Sequence, residues 1–443
     1  MKRRIEYQIL GYLGFQPSNT ATPLWRTSEE ILGRGLAFTD TAGLTLHLLA
    51  KLKKQADFAK LPVILQQRLE RNFRDNCKRT DAARQEFIQF NQLLQAQGIR
   101  YLNLKGLVLY PDFVDSRQNR VQYDHDFLIR QEDLPRAYEL FLGLGYSPLG
   151  SSAKLAAGHL PTLLRKTGWV WKGDLYDPAI PRAIELHCQL WEPDFDLIPI
   201  RSLDNVWQDS TLVRFPSLSI PVLSRKHTLL YCVLHAFRHL LRNDLRLSHL
   251  YELAFFLEHH HSNEDFWKKF FASIAHCPRS QRAVATMFEL ACQVFAVSPV
   301  SGIQHFIDDH LSSAGDLWIR KYGWRESVHC YRQSKAPIFL HLDFVTGHSL
   351  QWAVIRRKII PRRLPLPSFG VQVSPEKQGL SFRMLKGLHY GRQLFQRSCF
   401  HFLSLIKLLI QFPEWYFKLR RHKKETPVST RKAAYEKARG LSR

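Results

Sequence analysis

Two aspartates one residue apart, Asp124 and Asp126, constrain this chain more than any other feature of its sequence. They lie in the run Arg120-Val-Gln-Tyr-Asp-His-Asp-Phe-Leu-Ile, whose β-branched and aromatic residues are typical of a strand. Because side chains alternate between the two faces of a strand, both carboxylates point to the same face. Neighbouring carboxylates repel each other, and a bound divalent cation with oxygen ligands relieves that repulsion. The pattern therefore predicts a metal site.

A second segment supplies a third carboxylate about 60 residues further along the chain. In residues 182–191, apolar residues alternate with Glu185 and His187, which predicts a strand with both of these side chains on one face. If the two strands are neighbours in a sheet, Glu185 joins Asp124 and Asp126 in one acidic cluster. Such a cluster suits metal-assisted phosphoryl or nucleotidyl transfer, in which one Mg²⁺ binds the triphosphate and a second binds the attacking hydroxyl.

The segment before the aspartate strand predicts a turn that faces a phosphate. Residues 98–104 begin with a glycine that ends a helix and continue as a strand. Gly106 then permits a tight turn into a helix that begins within residues 107–110. Backbone N–H groups at the start of a helix can approach a phosphate, and the Lys105 ammonium adds positive charge. Lys105 and Gly106 are therefore candidate nucleotide-binding residues.

A chain of 443 residues is too long for one simple core, and its length indicates two or three domains. Hydrophobic periodicity and charge divide it into an N-terminal helical region, a mixed core, a helical domain and a basic C-terminal extension. The predicted boundaries of these regions are 1–97, 98–222, 223–350 and 351–443. A Pro-rich stretch at 361–375 is typical of a linker.

Most of the positive charge lies in the C-terminal extension. Residues 351–443 contain 21 lysines and arginines against four acidic residues, which accounts for +17 of the net charge of +24. A strongly apolar, aromatic segment at 400–417 precedes a basic segment at 418–424. This combination fits a helix at an anionic membrane surface, a helix docked on the protein with a solvated basic tail, or a nucleic-acid contact. No repeat or RNA-binding signature favours nucleic acid.

The cysteines and the lack of sorting signals predict a cytoplasmic protein. The seven cysteines are scattered without a Cys-x-x-Cys pair, which is typical of a reducing compartment. The N-terminus has no apolar run followed by small residues, and no uninterrupted apolar stretch reaches the roughly 18 residues of a spanning helix. We therefore expect a cytoplasmic protein whose only route to a membrane is peripheral, through the C-terminal extension.

Histidines in the helical domain raise two further hypotheses. His235 and His239 are one helical turn apart, as paired metal ligands are, but no acidic third ligand follows, which favours hydrogen-bonded structural histidines. Arg242 and His249 loosely match an arginine–histidine arrangement found in some nucleases. A ribonuclease-like helical domain is therefore an alternative.

Four motifs in this sequence resemble the bacterial uncharacterised nucleotidyltransferase family, a branch of the polymerase-β-like nucleotidyltransferase superfamily. They are Leu104-Lys-Gly106, Arg120-x-x-x-Asp124-x-Asp126, Leu142-x-x-Gly145-Tyr146 and Ile184-Glu-Leu-His187. The resemblance covers roughly residues 85–300. It implies an α+β fold with a polymerase-β-like core, in which a short mixed sheet packs with helices. N-terminal helices and a C-terminal helical bundle flank that core.

The resemblance also implies a function, the Mg²⁺-dependent transfer of a nucleoside monophosphate from an NTP to an acceptor hydroxyl that the sequence does not identify. The implied metal ligands, which are also the catalytic residues, are Asp124, Asp126 and Glu185. The implied nucleotide-binding residues are Lys105, Gly106 and Arg120. Because a fold does not settle function, the alternative is a catalytically inactive accessory protein that attaches to a membrane surface or protein partner through its basic extension.

Overall fold

The computed structural model describes residues 5–16, 23–149, 160–215, 218–328, 334–359 and 380–425. The Pro-rich stretch at 361–375 lies outside these ranges. Within them, a mixed seven-stranded sheet is preceded, interrupted and followed by helices. Its strands are β1 (Tyr101–Asn103), β2 (Asp124–Ile129), β3 (Tyr146–Pro148), β4 (Leu163–Arg165), β5 (Ala183–His187), β6 (Thr211–Phe215) and β7 (Leu218–Val222).

The strand order across the sheet is β3-β4-β5-β2-β1-β7-β6. The β2–β5 and β1–β7 pairs are parallel, and the other pairs are antiparallel. The strand β2 lies near the centre, with Tyr101 of β1 opposite Ile129 on one side and Glu185 of β5 opposite Asp126 on the other. The two strands that carry the acidic residues are therefore direct neighbours.

The helices before the sheet are α1 (Ile5–Leu13), α2 (Glu29–Ala42), α3 (Thr45–Lys54) and α4 (Val63–Ala96). The last of these runs behind the sheet together with α5 (Leu134–Gly143). Phe127 of β2 packs against Phe141 of α5 with ring centroids 6.0 Å apart, and Phe141 packs against Phe90 of α4 at 5.4 Å. His125 also faces this layer, where its ring lies 5.3 Å from Phe90. The period-two alternation of β2 thus places apolar side chains on one face and the aspartates on the other, as predicted.

A second group of helices follows β5. Their bounds are α6 (Pro193–Asp196), α7 (Arg225–Arg242), α8 (Leu247–His260), α9 (Glu264–Ile274), α10 (Pro278–Phe295), α11 (Ser301–His310), α12 (Ser313–Trp318), α13 (Trp324–Val328), α14 (Pro337–Phe344) and α15 (His348–Ile359). A turn of π-helix, Ile319–Gly323, joins α12 to α13. The largest cluster of buried apolar residues runs through these helices and through α1 to α3. N-terminal and C-terminal helices therefore share a core, while the four predicted domain boundaries stay predictions.

The helix α16 (Leu380–Glu425) is 46 residues long and contains Pro413. It packs on α12 and α14, and the ring of Trp415 stacks on Phe339 of α14 with centroids 4.9 Å apart. None of the helices described here is long and apolar enough to cross a membrane.

Candidate functional site

The parallel pairing of β2 with β5 brings an acidic and an imidazole side chain to Asp126. Glu185 lies directly opposite Asp126 in the register. His187 lies two residues further along β5 on the same face, and its Nε2 is 3.1 Å from Asp126 Oδ1 and 3.6 Å from Glu185 Oε2. One ligand atom from each of these three side chains lies within 4.8 Å of the other two. Donor atoms on an octahedral ion at about 2.1 Å are about 3.0 to 4.2 Å apart, so a small adjustment fits this set to one divalent cation.

Asp124 begins β2 on the same face, opposite Ala183, and is half-buried. Burial raises the pKa of its carboxyl, the repulsion of Asp126 raises it further, and Lys105 offsets only part, so that this pKa is about 7. The set of converging ligand atoms contains His187 in the place that the sequence prediction gave to Asp124. Asp124 therefore flanks the set, and its role as a metal ligand stays a prediction.

Lys105 is the counter-ion of the acidic cluster. Its ammonium Nζ lies 3.3 Å from Asp126 Oδ2, 3.1 Å from His235 Nε2 and 5.7 Å from the centroid of the Tyr231 ring. Burial by itself lowers the pKa of a lysine, but the attraction of Asp126 and of the neighbouring carboxylates outweighs it and raises the pKa of Lys105. The side chain therefore stays cationic beside the candidate metal ligands.

His187 also neutralises Asp126. Burial lowers the pKa of the imidazole, but its hydrogen bonds with Asp126 and Glu185 outweigh this and raise the pKa to about 9. For Asp126 the balance runs the other way, because Lys105 and His187 outweigh burial and hold the pKa of the carboxyl well below its usual range. Asp126 is thus an ionised, fully paired carboxylate at neutral pH.

Gly106 adopts a left-handed backbone conformation with φ +68°, which makes the tight turn after Lys105. A Cβ at this position would lie 2.8 Å from the side-chain nitrogen of Gln122, which in turn donates a hydrogen bond to the carbonyl oxygen of Asp124 at 2.7 Å. The helix predicted after this turn is a single 3₁₀ turn, Gly106–Leu109. Such a short element lacks the aligned peptide dipoles of a helix N-terminus, so any contact with phosphate depends on Lys105 and the backbone of the turn.

Arg120 is engaged inside the protein. Its Nε donates to Glu252 Oε1 of α8 at 2.8 Å, and both side chains are largely buried. The amide of Asn76 on α4 donates to the carbonyl oxygen of Arg120 at 3.2 Å. Arg120 therefore fastens the entry to β2 between α4 and α8, and its predicted contact with a nucleotide stays a prediction.

The histidines of α7 lie behind Lys105. The Nε2 atoms of His235 and His239 are 3.1 Å apart, and His239 Nδ1 is 2.9 Å from Asp244 Oδ1. The ring of His249 on α8 lies 4.9 Å from that of His235, and burial lowers the pKa of both His235 and His249 well below the ordinary value. These contacts are those of neutral, hydrogen-bonded histidines that pack against the site.

The nuclease hypothesis draws no support from the contacts of its two residues. Arg242 donates from Nη2 to Asp196 Oδ1 at 2.8 Å, whereas the His249 ring packs against His235. The ribonuclease-like alternative stays an untested prediction.

Three residues at the site were not predicted from the sequence as members of it. The shared face of His187 and Glu185 was visible in the period-two pattern, so this histidine could have been included. Tyr231 and Glu252 come from helices more than 100 residues downstream of β2, and no local pattern in the sequence indicates their positions.

Acidic side chains from adjacent parallel strands on one face of a mixed sheet, with helices behind it, are the features with which a nucleotidyltransferase domain holds metal ions. The family model described as "Uncharacterised nucleotidyltransferase" matches residues 33–296, more than half of the sequence, and the chain belongs to this family. The match confirms the resemblance and the predicted α+β fold class. We found no significant match among curated proteins or among solved structures.

Proposed function

We propose that this protein is a Mg²⁺-dependent nucleotidyltransferase that moves a nucleoside monophosphate from an NTP to an acceptor hydroxyl. The convergence of Asp126, Glu185 and His187 on one face of the sheet carries this proposal. In the reaction, the acceptor oxygen forms a bond to the α-phosphorus, the bond to the leaving pyrophosphate breaks, and the acceptor proton is released. Bound Mg²⁺ would neutralise charge on the phosphate oxygens and lower the pKa of the acceptor hydroxyl.

The side chains around the metal ligands have distinct proposed roles. Asp126 and Glu185 would hold the metal that bridges the triphosphate, and Asp124 would contribute to a second metal on the acceptor side. Lys105 is buried, cationic and adjacent to Asp126, so it would attract the phosphates of the incoming NTP. Arg120 would hold the entry to β2 in place through Glu252 and reach the nucleotide only if that ion pair opens.

Pyrophosphate release from the full-length protein tests the proposal. The protein is incubated with Mg²⁺ and each of ATP, GTP, CTP and UTP labelled at the α-phosphate, and both pyrophosphate and self-labelling are measured. We expect at least one NTP to react, and Asp126→Asn and Glu185→Gln to lower its rate at least about 100-fold. Asp204→Asn, at an exposed aspartate, is the matched control and retains the rate. Identical background rates in the wild type and Asp126→Asn with all four NTPs would contradict the proposal.

A second candidate is an accessory protein that keeps the fold without catalysis. It is favoured by one observation: Lys105 and His187 already neutralise Asp126, so the folded chain satisfies this carboxylate without an added cation. Calorimetric titration with Mg²⁺ and Mn²⁺ separates the two candidates. Binding that Asp126→Asn removes supports the enzyme, and no detectable binding by the folded wild type supports the accessory protein.

We also propose that the protein works in the cytoplasm, at the inner face of the membrane when its C-terminal extension is engaged. The cysteines of the described residues are free thiols, as a reducing compartment favours. The NTP is the substrate that follows from family membership, and the acceptor is the second partner that the reaction requires.

A further inference from the structure

One side of α16 is docked on the helical part of the protein. Trp415 is 6 % exposed, and Ser404 and Leu408 are also buried against this surface. Trp415 contributes to the seam by stacking on Phe339 and lying 6.0 Å from the ring of Tyr322. The positions 404, 408, 411, 415, 419 and 422 recur every three or four residues, which is one face of a helix.

Polar contacts along the same seam fix the rotation of α16. Glu414 pairs with Lys321 at 2.8 Å, and Lys335 Nζ lies 3.1 Å from the imidazole of His401. Nearer the end of the helix, the imidazole of His422 is 2.7 Å from a carboxylate oxygen of α12. Contacts spread over about six turns hold the helix, so its opposite side is presented outward in a defined way.

The outward side of α16 is apolar, and this is unusual for a surface helix. Phe402, Leu409 and Phe417 are 65 %, 65 % and 69 % exposed. The outer ridge of exposed apolar residues consists of Leu388, Phe395, Phe402, Ile406, Leu409, Ile410 and Phe417. At about 1.5 Å per residue the ridge is roughly 44 Å long. Contiguous exposed apolar surface of this extent marks an interaction site.

The charge beside the outer ridge selects the kind of partner. Residues 380–425 contain ten lysines and arginines and two acidic residues. One of those acids, Glu414, is already paired with Lys321 and Lys418. Lys407, Arg420 and Arg421 are exposed. An apolar face with basic neighbours is the pattern of a helix that lies in the interface of an anionic bilayer.

Two other occupants fit the ridge less well. Residues 388, 395, 402 and 409 are seven apart, as in a coiled-coil seam, but the positions four residues after 388, 409 and 416 are Arg392, Pro413 and Arg420. A second copy of this helix would therefore meet charge and a proline where it needs apolar side chains. A spanning helix is excluded for the described residues by the lack of any sufficiently apolar stretch.

We propose that α16 binds the protein to the surface of an anionic phospholipid bilayer, with the outer ridge in the acyl–headgroup boundary and the basic side chains on the headgroup phosphates. The helix lies in the plane of the membrane, between the bilayer and the protein body to which its seam is docked. The proposal does not depend on catalysis at Asp126, so each can fail without the other.

Vesicle flotation of the full-length protein tests this proposal. The vesicles are phosphatidylcholine alone or phosphatidylcholine with about 30 % phosphatidylglycerol. We expect flotation with the anionic vesicles and at least about tenfold less with the neutral ones. The ridge variant Phe402→Ser/Leu409→Ser/Phe417→Ser removes three exposed apolar side chains without touching the seam, and we expect it to lower partitioning at least about tenfold.

The matched control exchanges three exposed apolar side chains elsewhere, Val63→Ser/Ile64→Ser/Trp352→Ser, and retains flotation. Circular dichroism and light scattering establish that each variant is folded and report its oligomeric state. Equal flotation of the ridge variant and the wild type would overturn the proposal. A wild-type dimer in solution that the ridge variant converts to a monomer would also overturn it in favour of a second copy, and binding of RNA in preference to anionic vesicles would overturn it in favour of nucleic acid.

Discussion

His187 gives the candidate metal centre a nitrogen donor beside two carboxylates. Mg²⁺ prefers oxygen ligands in a strict octahedron, whereas imidazole suits first-row transition ions such as Mn²⁺. Because His187 Nε2 lies within hydrogen-bonding distance of Asp126, it can bind a metal only by giving up its position as donor to that carboxylate. The residue therefore either completes the ligand set or holds it together in its absence.

Metal selectivity distinguishes these two roles of His187. If the imidazole is a ligand, the wild type binds Mn²⁺ at least about tenfold more tightly than Mg²⁺, and His187→Gln loses most of that preference. Electron paramagnetic resonance of free Mn²⁺ measures binding directly, and calorimetry gives the affinity for Mg²⁺. His305→Gln, at an exposed histidine, is the control. An unchanged Mn²⁺ preference in His187→Gln would show that the imidazole only positions Asp126.

Gly106 is a second residue whose identity the site requires. An alanine there must hold φ +68° and place its Cβ 2.8 Å from the Gln122 amide, so Gly106→Ala should lower the free energy of unfolding by about 2 kcal/mol. Gly98→Ala is a matched control, because Gly98 has φ +61° and no atom lies within 4 Å of the position that a Cβ would occupy there. It should cost about 1 kcal/mol from backbone strain alone. Equal losses in urea denaturation would show that the crowding at Gln122 is relieved without cost.

At the scale of elements, strand alternation explains most of what the sequence predicts correctly. The period of two placed Asp124 with Asp126 and Glu185 with His187, and the sheet pairs the two strands in the register that sets Asp126 against Glu185. The period does not determine how far each side chain reaches, so the convergence of His187 rather than Asp124 follows only from the three-dimensional arrangement. The helix predicted after Gly106 shortens to a 3₁₀ turn, since its apolar residues are needed in the core and Pro111 soon interrupts the chain.

A buried histidine links α14 to the loop after α6 and makes stability depend on pH. His341 Nε2 donates to the carbonyl oxygen of Asp196 at 2.8 Å, and burial, with the charge of nearby Lys358, lowers its pKa to about 3. The ordinary pKa of histidine is about 6.5, so the unfolded chain binds a proton that the folded chain excludes. The contribution of neutral His341 is fully present above pH 6.5 and is lost as the pH falls from there towards 3.

Urea denaturation between pH 7.5 and 5 measures this contribution. The His341 linkage should lower the free energy of unfolding of the wild type by about 2 kcal/mol over this range. His341→Gln keeps a donor for the Asp196 carbonyl and removes the titration, so its loss over the same range should be about 2 kcal/mol smaller. His348→Gln, at an exposed histidine on α15, controls for the substitution itself. Parallel curves for His341→Gln and the wild type would refute the linkage.

At the scale of the whole molecule, α16 is attached to the protein along a single narrow seam. Trp415 supplies the largest apolar side chain of that seam, between Phe339 and Tyr322. Truncation of a buried tryptophan removes about 3 kcal/mol of packing. Because the rest of the helix is exposed, we expect this loss to affect the docking of α16 more than the unfolding of the core.

Hydrogen exchange locates the effect of Trp415→Ala. Amides of residues 400–425 should exchange at least about tenfold faster than in the wild type, while those of β2 and β5 should be unchanged. Trp352→Ala, at a tryptophan that is 69 % exposed on α15, is the control and should change neither region. Faster exchange in β2 and β5 would show instead that α16 unfolds together with the core.

The sequence could not predict the long-range partners that complete the site. Arg120 was assigned to the nucleotide because a cation near two aspartates suits phosphate, yet its partner Glu252 lies 132 residues away on α8. Lys105 likewise finds His235 only through the packing of α7 against the turn after β1. Local periodicity defines which side chains share a face, whereas tertiary packing decides which of them remain available to a ligand.

The separation of the site residues along the chain has a consequence for biosynthesis. Asp126 is 61 residues from His187 but only 21 from Lys105, so its lysine partner leaves the ribosome with it, while its imidazole partner and Glu185 emerge later. Contacts of short separation close with the smaller entropy loss. The hairpin of β1 and β2 can thus form early with its acid neutralised by Lys105, and the arrival of β5 converts a settled ion pair into a ligand set. The lysine that faces the site in the mature protein is also the side chain that accompanies Asp126 during its synthesis.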